Sequence, residues 1–204
     1  SASGGMLVCP TGHGTIAAVD PLSRSLIWGF AYDLENASRN VFGRRGQRFQ
    51  VNPDPSGRWT DASLILGENC VIATPPDSPD LYCLDLISGR LRWTTSRSRW
   101  NAIFVACVHD GKVLLASSSE LVALSLEDGR SLWQERPLRW KPGAHPSGQG
   151  FLSGDEYLAP LSNGTVERID LKQGEIVGTI RTRSDVVPGN LIQNHGCIVS
   201  QRGD

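Results

Sequence analysis

Residues 102–135 read AIFVACVHDGKVLLASSSELVALSLEDGRSLWQE, and this stretch decides the fold. Three short apolar runs, AIFVACV, KVLLASS and ELVALSL, are followed by the amphipathic RSLWQE. Each is the length of a strand and is rich in branched residues. His109-Asp110-Gly111 and Glu127-Asp128-Gly129 punctuate them. Asp-Gly supplies the positive φ angles that tight hairpins need, so the segment predicts four short antiparallel strands in succession.

Working outward, the end of this unit recurs along the chain as AAVDPLSRSLIW (Asp20 to Trp28), YCLDLISGRLRW (Asp85 to Trp93), VALSLEDGRSLW (Ser125 to Trp133) and ERIDLKQGEIVG (Asp170 to Gly178). A polar residue, a turn near glycine and a residue eight positions later that is three times tryptophan form an internal repeat. Copy one has Arg24 at the glycine position, copy three Ser125 for the aspartate, and copy four Gly178 for the tryptophan. The second copy resolves into ASLIL, CVIAT, LYCLDL and RLRWTT, and the fourth into QGFL, EYLAPLS, TVERIDL and EIVGTIR. A lone four-stranded sheet cannot bury both faces, whereas sheets stacked radially around an axis can, which selects a β-propeller. Trp28, Trp93 and Trp133 then read as packing residues wedged against the neighbouring sheet. Asp20, Asp85 and Asp170 read as turn and blade-end hydrogen-bond acceptors, and Gly89, Gly129 and Gly174 as turn residues.

The repeat resembles that of the pyrroloquinoline-quinone-type proteins, the quinoprotein alcohol dehydrogenase-like β-propellers, over the whole chain apart from residues 33–59. The resemblance implies an all-β fold of four-stranded antiparallel blades and a parent ring of seven or eight. This chain would then hold about four and a half blades. Blade one is expected at about 1–32, an insertion at 33–59, blade two at 60–96, blade three at 101–135, blade four at 140–183 and the start of a fifth at 186–204. Ser1, a single methionine at Met6 and a last segment, HGCIVSQRGD, that stops within a strand pattern give the expectation of a piece of a longer protein. The resemblance also implies an extracytoplasmic location and, in enzymatic members, pyrroloquinoline quinone with calcium, an aspartate base and a disulfide between adjacent cysteines. No Cys-Cys pair and no Asp, Glu and Asn cluster of the oxygen-cage kind is written in the sequence. The chain is therefore assigned to the non-catalytic branch, with no cofactor.

Composition narrows the function classes. Of 204 residues, 39% are hydrophobic and 20% charged, an ordinary globular mixture. Twenty basic against twenty-one acidic side chains leave a net charge of −1, so no global field draws the protein to nucleic acid or an anionic membrane. No apolar run of about eighteen residues occurs and the first residues lack an export pattern. The five cysteines have no CxxC spacing. Cys70 and Cys83 fall on adjacent strands of one hairpin, where they either pair or pack as reduced thiols. His13, His109, His145 and His195 lack metal-ligand spacing, and GxSxG, GxGxxG and P-loop patterns are absent. Asn36 and Asn163 head glycosylation sequons, and Arg202-Gly203-Asp204 closes the chain.

The most specific signal outside the repeat is a recurring pair, Arg58-Trp59, Arg99-Trp100 and Arg139-Trp140, followed by Asp61, Asn101 and Lys141 respectively. In copies two and three the pair's tryptophan lies seven residues after the packing tryptophan. Equivalent positions in successive blades share one rim. Such a ring offers guanidinium forks to an anionic or sugar-like ligand or to a protein, with indole faces for stacking. In the competing reading the tryptophans pack between blades and arginine stems cover them. The fourth blade, with Arg183-Ser184-Asp185, breaks the series. The expectation is a non-catalytic interaction module binding a protein or small ligand on this face. The alternatives are a fragment of a quinone- and calcium-dependent dehydrogenase and a purely structural scaffold. Partners expected for the chain are the rest of the parent propeller or, for the isolated piece, a second copy covering its open apolar faces.

Overall fold

The computed structural model describes residues 2–3, 5–11, 13–32, 64–67, 69–75, 77–133, 137–182, 186–195 and 197–201. Strands β1 (Ala2–Ser3), β2 (Met6–Pro10), β3 (Thr15–Asp20) and β4 (Ser25–Ala31) pair in chain order as one antiparallel sheet. A second sheet comprises β5 (Leu64–Gly67), β6 (Cys70–Ala73), β7 (Asp80–Asp85) and β8 (Leu91–Ser96). A single helical turn, α1 (Arg97–Trp100), leads into the third: β9 (Ala102–His109), β10 (Lys112–Ser117), β11 (Glu120–Ser125) and β12 (Leu138–Arg139). The fourth is β13 (Phe151–Ser153), β14 (Glu156–Leu161), β15 (Thr165–Asp170) and β16 (Glu175–Arg181), and β17 (Asn190–Asn194) with β18 (Cys197–Gln201) forms a hairpin. These are the four-stranded blades of a propeller. Two compact units are present: Ser1–Phe104 with Leu126–Gly129, and Val105–Ser125 with Arg130–Asp204.

The middle strands carry runs of buried, mostly apolar residues because both of their faces are covered there. All four residues of β6 are buried, as are residues 81–84 of β7, 113–117 of β10 and 157–161 of β14. In the first unit Val8, Ile16, Ala18, Trp28 and Tyr32 of sheet one form one core cluster with Leu64, Val71, Ala73, Tyr82 and Leu84 of sheet two. Each large side chain buried there contributes about 1.5–3 kcal/mol. In the second unit Leu158, Val166 and Leu191 cluster with Phe151, setting the hairpin strand β17 on sheet four.

The repeated turn locks one sheet to the next. Trp28 Nε1 donates to the Leu86 carbonyl and Trp93 Nε1 to the Leu126 carbonyl, each at 2.9 Å. The indole of Trp28 lies against Gly89, that of Trp93 against Gly129 and that of Trp133 against Gly174. A Cβ on these glycines would meet the rings at 2.5, 2.8 and 2.8 Å. The glycines also have φ of 68°, 73° and 69°, so both backbone and space exclude a side chain. The aspartates close the same turns. Asp20 Oδ1 accepts from the Leu22 amide at 2.8 Å, Asp85 Oδ1 from the Ser88 amide at 2.9 Å, and Asp170 Oδ1 from the Lys172 and Gln173 amides at 2.8 and 2.9 Å. Where the first copy lacks glycine, Arg24 takes a left-handed φ of 53°.

Two features differ from the sequence reading, and a third settles an alternative it left open. Residues 130–133 do not form a regular outer strand. Ser131 bridges Leu124 and the Leu132 amide donates to the Ala123 carbonyl, whereas the regular outer strand is β12, with Leu138 opposite Leu121 and Arg139 opposite Glu120. Helical turn α1 replaces part of an expected connection; it ends at Asn101, whose φ of 48° is left-handed. Cys70 and Cys83 are free thiols. The register sets Cys70 opposite Asp85 and Cys83 opposite Ile72, so the two cysteines are diagonal neighbours rather than a facing pair. A thiol hydrogen bond to Cys70 and burial push the Cys83 thiol far up.

The two glycine environments separate backbone strain from ring contact. Gly111→Ala, where φ is 69° but a Cβ meets nothing, should cost about 1 kcal/mol in urea unfolding. Gly129→Ala, at a similar φ of 73° but against Trp93, should cost about 2–4 kcal/mol. Equal losses would remove the ring contact as the cause. Asp85 provides a second test. A hydrogen bond from Arg92 at 2.7 Å, reinforced by the Ser88 amide and hydroxyl, holds its carboxyl well below the usual carboxylate range. A depressed folded-state pKa means that the unfolded chain takes up the proton first. The stabilisation is therefore present above about pH 4 and is lost as pH falls through and below that value. Thermal midpoints should drop in that window, and less steeply in Asp85→Asn.

Candidate functional site

Arg99 and Trp100 stand on α1 at the exit of β8. The helical turn is anchored by the Arg97 amide, which donates to the Pro79 carbonyl at 3.0 Å, and none of its four residues is buried. The Arg99 guanidinium lies over the Trp100 ring, 4.7 Å from its centroid, a cation–π contact worth about 0.5–1 kcal/mol at an exposed position. Trp100 is itself fixed by a hydrogen bond from Nε1 to Thr95 Oγ1 at 3.0 Å. Among the described residues, no carboxylate lies within ion-pair distance of Arg99. Arg92 and Arg168, by contrast, are committed to Asp85 and Glu156. The group is thus a solvated cation held in place by an indole, with Asn101 beside it.

Arg139, Trp140 and Lys141, in the second unit, are arranged differently. Trp140 is 5% exposed, and its Nε1 donates to the Ser117 carbonyl at 3.0 Å while its amide donates to the Ser119 carbonyl at 2.9 Å. The chain arrives here from a paired strand, so the indole continues into the core instead of leaving on a helical turn. Arg139 is exposed and faces Glu120 across β11 at 3.8 Å. Lys141 Nζ stands 3.6 Å from Glu167 Oε1. One sequence pattern therefore yields a surface platform in one place and a buried strut in another. Arg58, Trp59 and Asp61 lie outside the described residues.

Two polar groups carried no sequence signal. In the first unit Asp77, from the proline-rich loop, accepts from the Gly14 amide at 3.0 Å and from the Tyr32 hydroxyl. Burial raises its pKa, but these bonds outweigh it and hold the carboxyl below the usual range. Burial first, and then the bond to Asp77, push the Tyr32 hydroxyl far up. The Tyr32 ring packs on Tyr82 at 5.3 Å, so the loop is fastened to both sheets. In the second unit Asp155 accepts from Lys172 Nζ at 2.6 Å and pairs with His109 Nε2 at 3.0 Å, contacts that lower its pKa in that order. In both clusters the carboxylate is held by contacts to neighbouring segments.

Calcium and quinone need several oxygen donors on one centre. Among the described residues no group of three His, Cys, Asp or Glu side chains converges. No described helix is long and apolar enough to cross a membrane.

Four-stranded sheets with a repeated turn, in which the tryptophan of one copy rests on the turn glycine of the next, define a pyrroloquinoline-quinone-repeat β-propeller protein. The model of the family described as outer membrane protein assembly factor BamB matches residues 12–191, and the chain belongs to this family. No curated protein sequence matches it. Among solved structures, BamB from Moraxella catarrhalis superposes with a TM-score of 0.61 at 16% identity, covering 96% of this chain and 51% of that one. A europium-containing methanol dehydrogenase gives 0.63 at 10% identity, over 88% and 40%. The β-propeller domain of Cps50 (Swd1) from Myceliophteria thermophila gives 0.55 at 12%, over 95% and 57%. The chain thus spans about half the length of these structures, and at such identities the likeness is one of fold.

The contrast between the two tryptophans is measurable. Trp140→Ala should cost about 3–5 kcal/mol in equilibrium unfolding, as for a buried large aromatic. Trp100→Ala, on an exposed turn, should cost less than about 1.5 kcal/mol. Similar costs would return both residues to a single role.

Proposed function

We propose that this chain is part of a non-catalytic β-propeller interaction module that holds a protein partner on the surface carrying Arg99 and Trp100. One observation carries the reading: Arg99 is an exposed guanidinium without a carboxylate partner among the described residues, stacked on an indole that is itself hydrogen-bonded in place. Aromatic and arginine side chains held rigid before binding are the groups that dominate protein interfaces, because little rotamer entropy is lost on contact. The natural counterpart is a carboxylate-bearing segment, to which the guanidinium fork donates two hydrogen bonds. Arg139 and Lys141 are left out of this surface because Glu120 and Glu167 already face them.

The description of the family as an assembly factor supports partner binding over a reaction, and supports a location outside the cytoplasm for the parent protein. Apolar side chains exposed on the last elements, including Ile176, Val177, Ile180, Ile192, Ile198 and Val199, fit burial by the rest of a parent propeller or, in the isolated chain, by a second copy.

The test uses a fluorescein-labelled glutamate-rich peptide and fluorescence anisotropy, with a lysine-rich peptide as control. Saturable binding of the acidic peptide alone, weakened about tenfold or more by Arg99→Ala and unchanged by Arg139→Ala, is the expected result. Binding that ignores Arg99→Ala overturns the surface. Thermal stabilisation by pyrroloquinoline quinone with calcium overturns the non-catalytic reading.

A further inference from the structure

Glu167 stands in the middle of β15, opposite Ala159 of β14 and Thr179 of β16. Its side chain is 0% exposed, and neither Oε1 nor Oε2 has a hydrogen-bond donor. Among the described residues, these two oxygens are the only buried side-chain nitrogen or oxygen atoms without a hydrogen-bond partner. A carboxylate out of water needs charge compensation and donors on both oxygens, and its lone-pair directions admit about four. The facing cation is Lys141, whose side chain is 60% exposed and whose Nζ is 3.6 Å from Oε1. That distance gives attraction without a hydrogen bond. Lys141 follows Trp140, whose two hydrogen bonds to the Ser117 and Ser119 carbonyls fix the backbone while leaving the lysine stem in solvent. A flexible, well-hydrated ammonium is therefore all that covers the buried charge on this side.

We propose that Glu167 is a seat for a primary ammonium group, with Lys141 as its movable cover. An entering R–NH3+ presents three N–H donors and can reach the carboxylate at about 2.8 Å, giving the charge-assisted bonds that Lys141 does not make. Lys141 then turns into water, where its own ammonium is fully solvated, so the exchange conserves the charge beside Glu167. The chemistry selects ammonium over the alternatives. A divalent metal requires more acidic or imidazole donors than one carboxylate, and no group of three converges among the described residues. Anions are repelled by Glu167. The group can come from a free alkylamine or from a lysine side chain of a partner protein, which share this head group. The inference is independent of the Arg99 surface, which belongs to the other unit.

The test is a titration of the full chain with propylammonium, tetramethylammonium and acetylated-N-terminus lysine tripeptide at constant ionic strength, read by thermal midpoint and by amide NMR shifts. Lys141→Ala should lower the midpoint by about 4–10 °C, since it leaves the buried carboxylate without a cation. Propylammonium should restore most of that loss saturably, whereas tetramethylammonium, which has the charge but no N–H, should not. A response to propylammonium alone assigns the seat to free amines, and a tighter response to the lysine peptide assigns it to a protein lysine. In wild-type protein the same ligands should shift the amides of Lys141 and Glu167, a readout that does not depend on the variant folding. Glu167→Gln should abolish both responses. Equal rescue by tetramethylammonium, no rescue with no wild-type shifts, or a response that survives Glu167→Gln overturns the proposal.

Discussion

An indole N–H donated to a carbonyl in the turn of the following sheet, with the ring face resting on that turn's glycine, sets the geometry of this protein. Trp28 does this at Leu86 and Gly89, and Trp93 at Leu126 and Gly129. The contact is directional at the nitrogen and flat at the glycine, so it fixes both distance and angle between sheets. Hydrophobic burial alone fixes neither. The register irregularity at Ala18/Val19, at Cys83/Leu84 and again at Arg168/Ile169 lies at the same point of copies one, two and four. A bulge there adds local twist, which turns the outer strand so that the eighth residue after the aspartate faces the next sheet.

This dependence explains what the sequence disclosed. Asp20, Asp85 and Asp170, the turn glycines and the tryptophans act through local spacing, and local spacing is written directly in the chain. The pairing of Leu138 and Arg139 with β11 was not legible, because RSLWQE alternates as a strand should while its pairing partner is chosen by β11. Helical turn α1 was also hidden: Arg97-Ser98-Arg99-Trp100 has no periodicity over so few residues. Glu167 was the least readable. In TVERID a glutamate next to an arginine looks like the solvent side of a strand, yet Arg168 takes that side and Glu167 the covered one. Only the structure reveals which of these two adjacent polar residues is enclosed.

The Arg-Trp pairs carry a similar lesson about side chains. Trp100 and Trp140 occupy the same distance from their packing tryptophans, and both indoles find an acceptor, but one acceptor is a threonine hydroxyl on the surface and the other a buried carbonyl. What divides them is the backbone that delivers them. A helical turn carries Trp100 outward and lets it support a guanidinium, while extended pairing at β12 carries Trp140 inward. Equivalent positions in a repeat share a location on the blade, and function separates them through a few torsion angles.

The five cysteines sit at graded depths. Cys70 and Cys83 are sealed between the middle strands of sheet two, Cys9 and Cys107 are half-buried, and Cys197 on β18 is open to solvent. Burial pushes the Cys107 thiol up to about 12, and Cys83 is pushed higher still, so at neutral pH these carry almost no thiolate, the form that reacts. An oxidant or alkylating reagent will therefore meet the chain first at its final hairpin. The order in which the remaining sulfurs become available is a clock for the opening of the first three sheets, written into the protein without any added label.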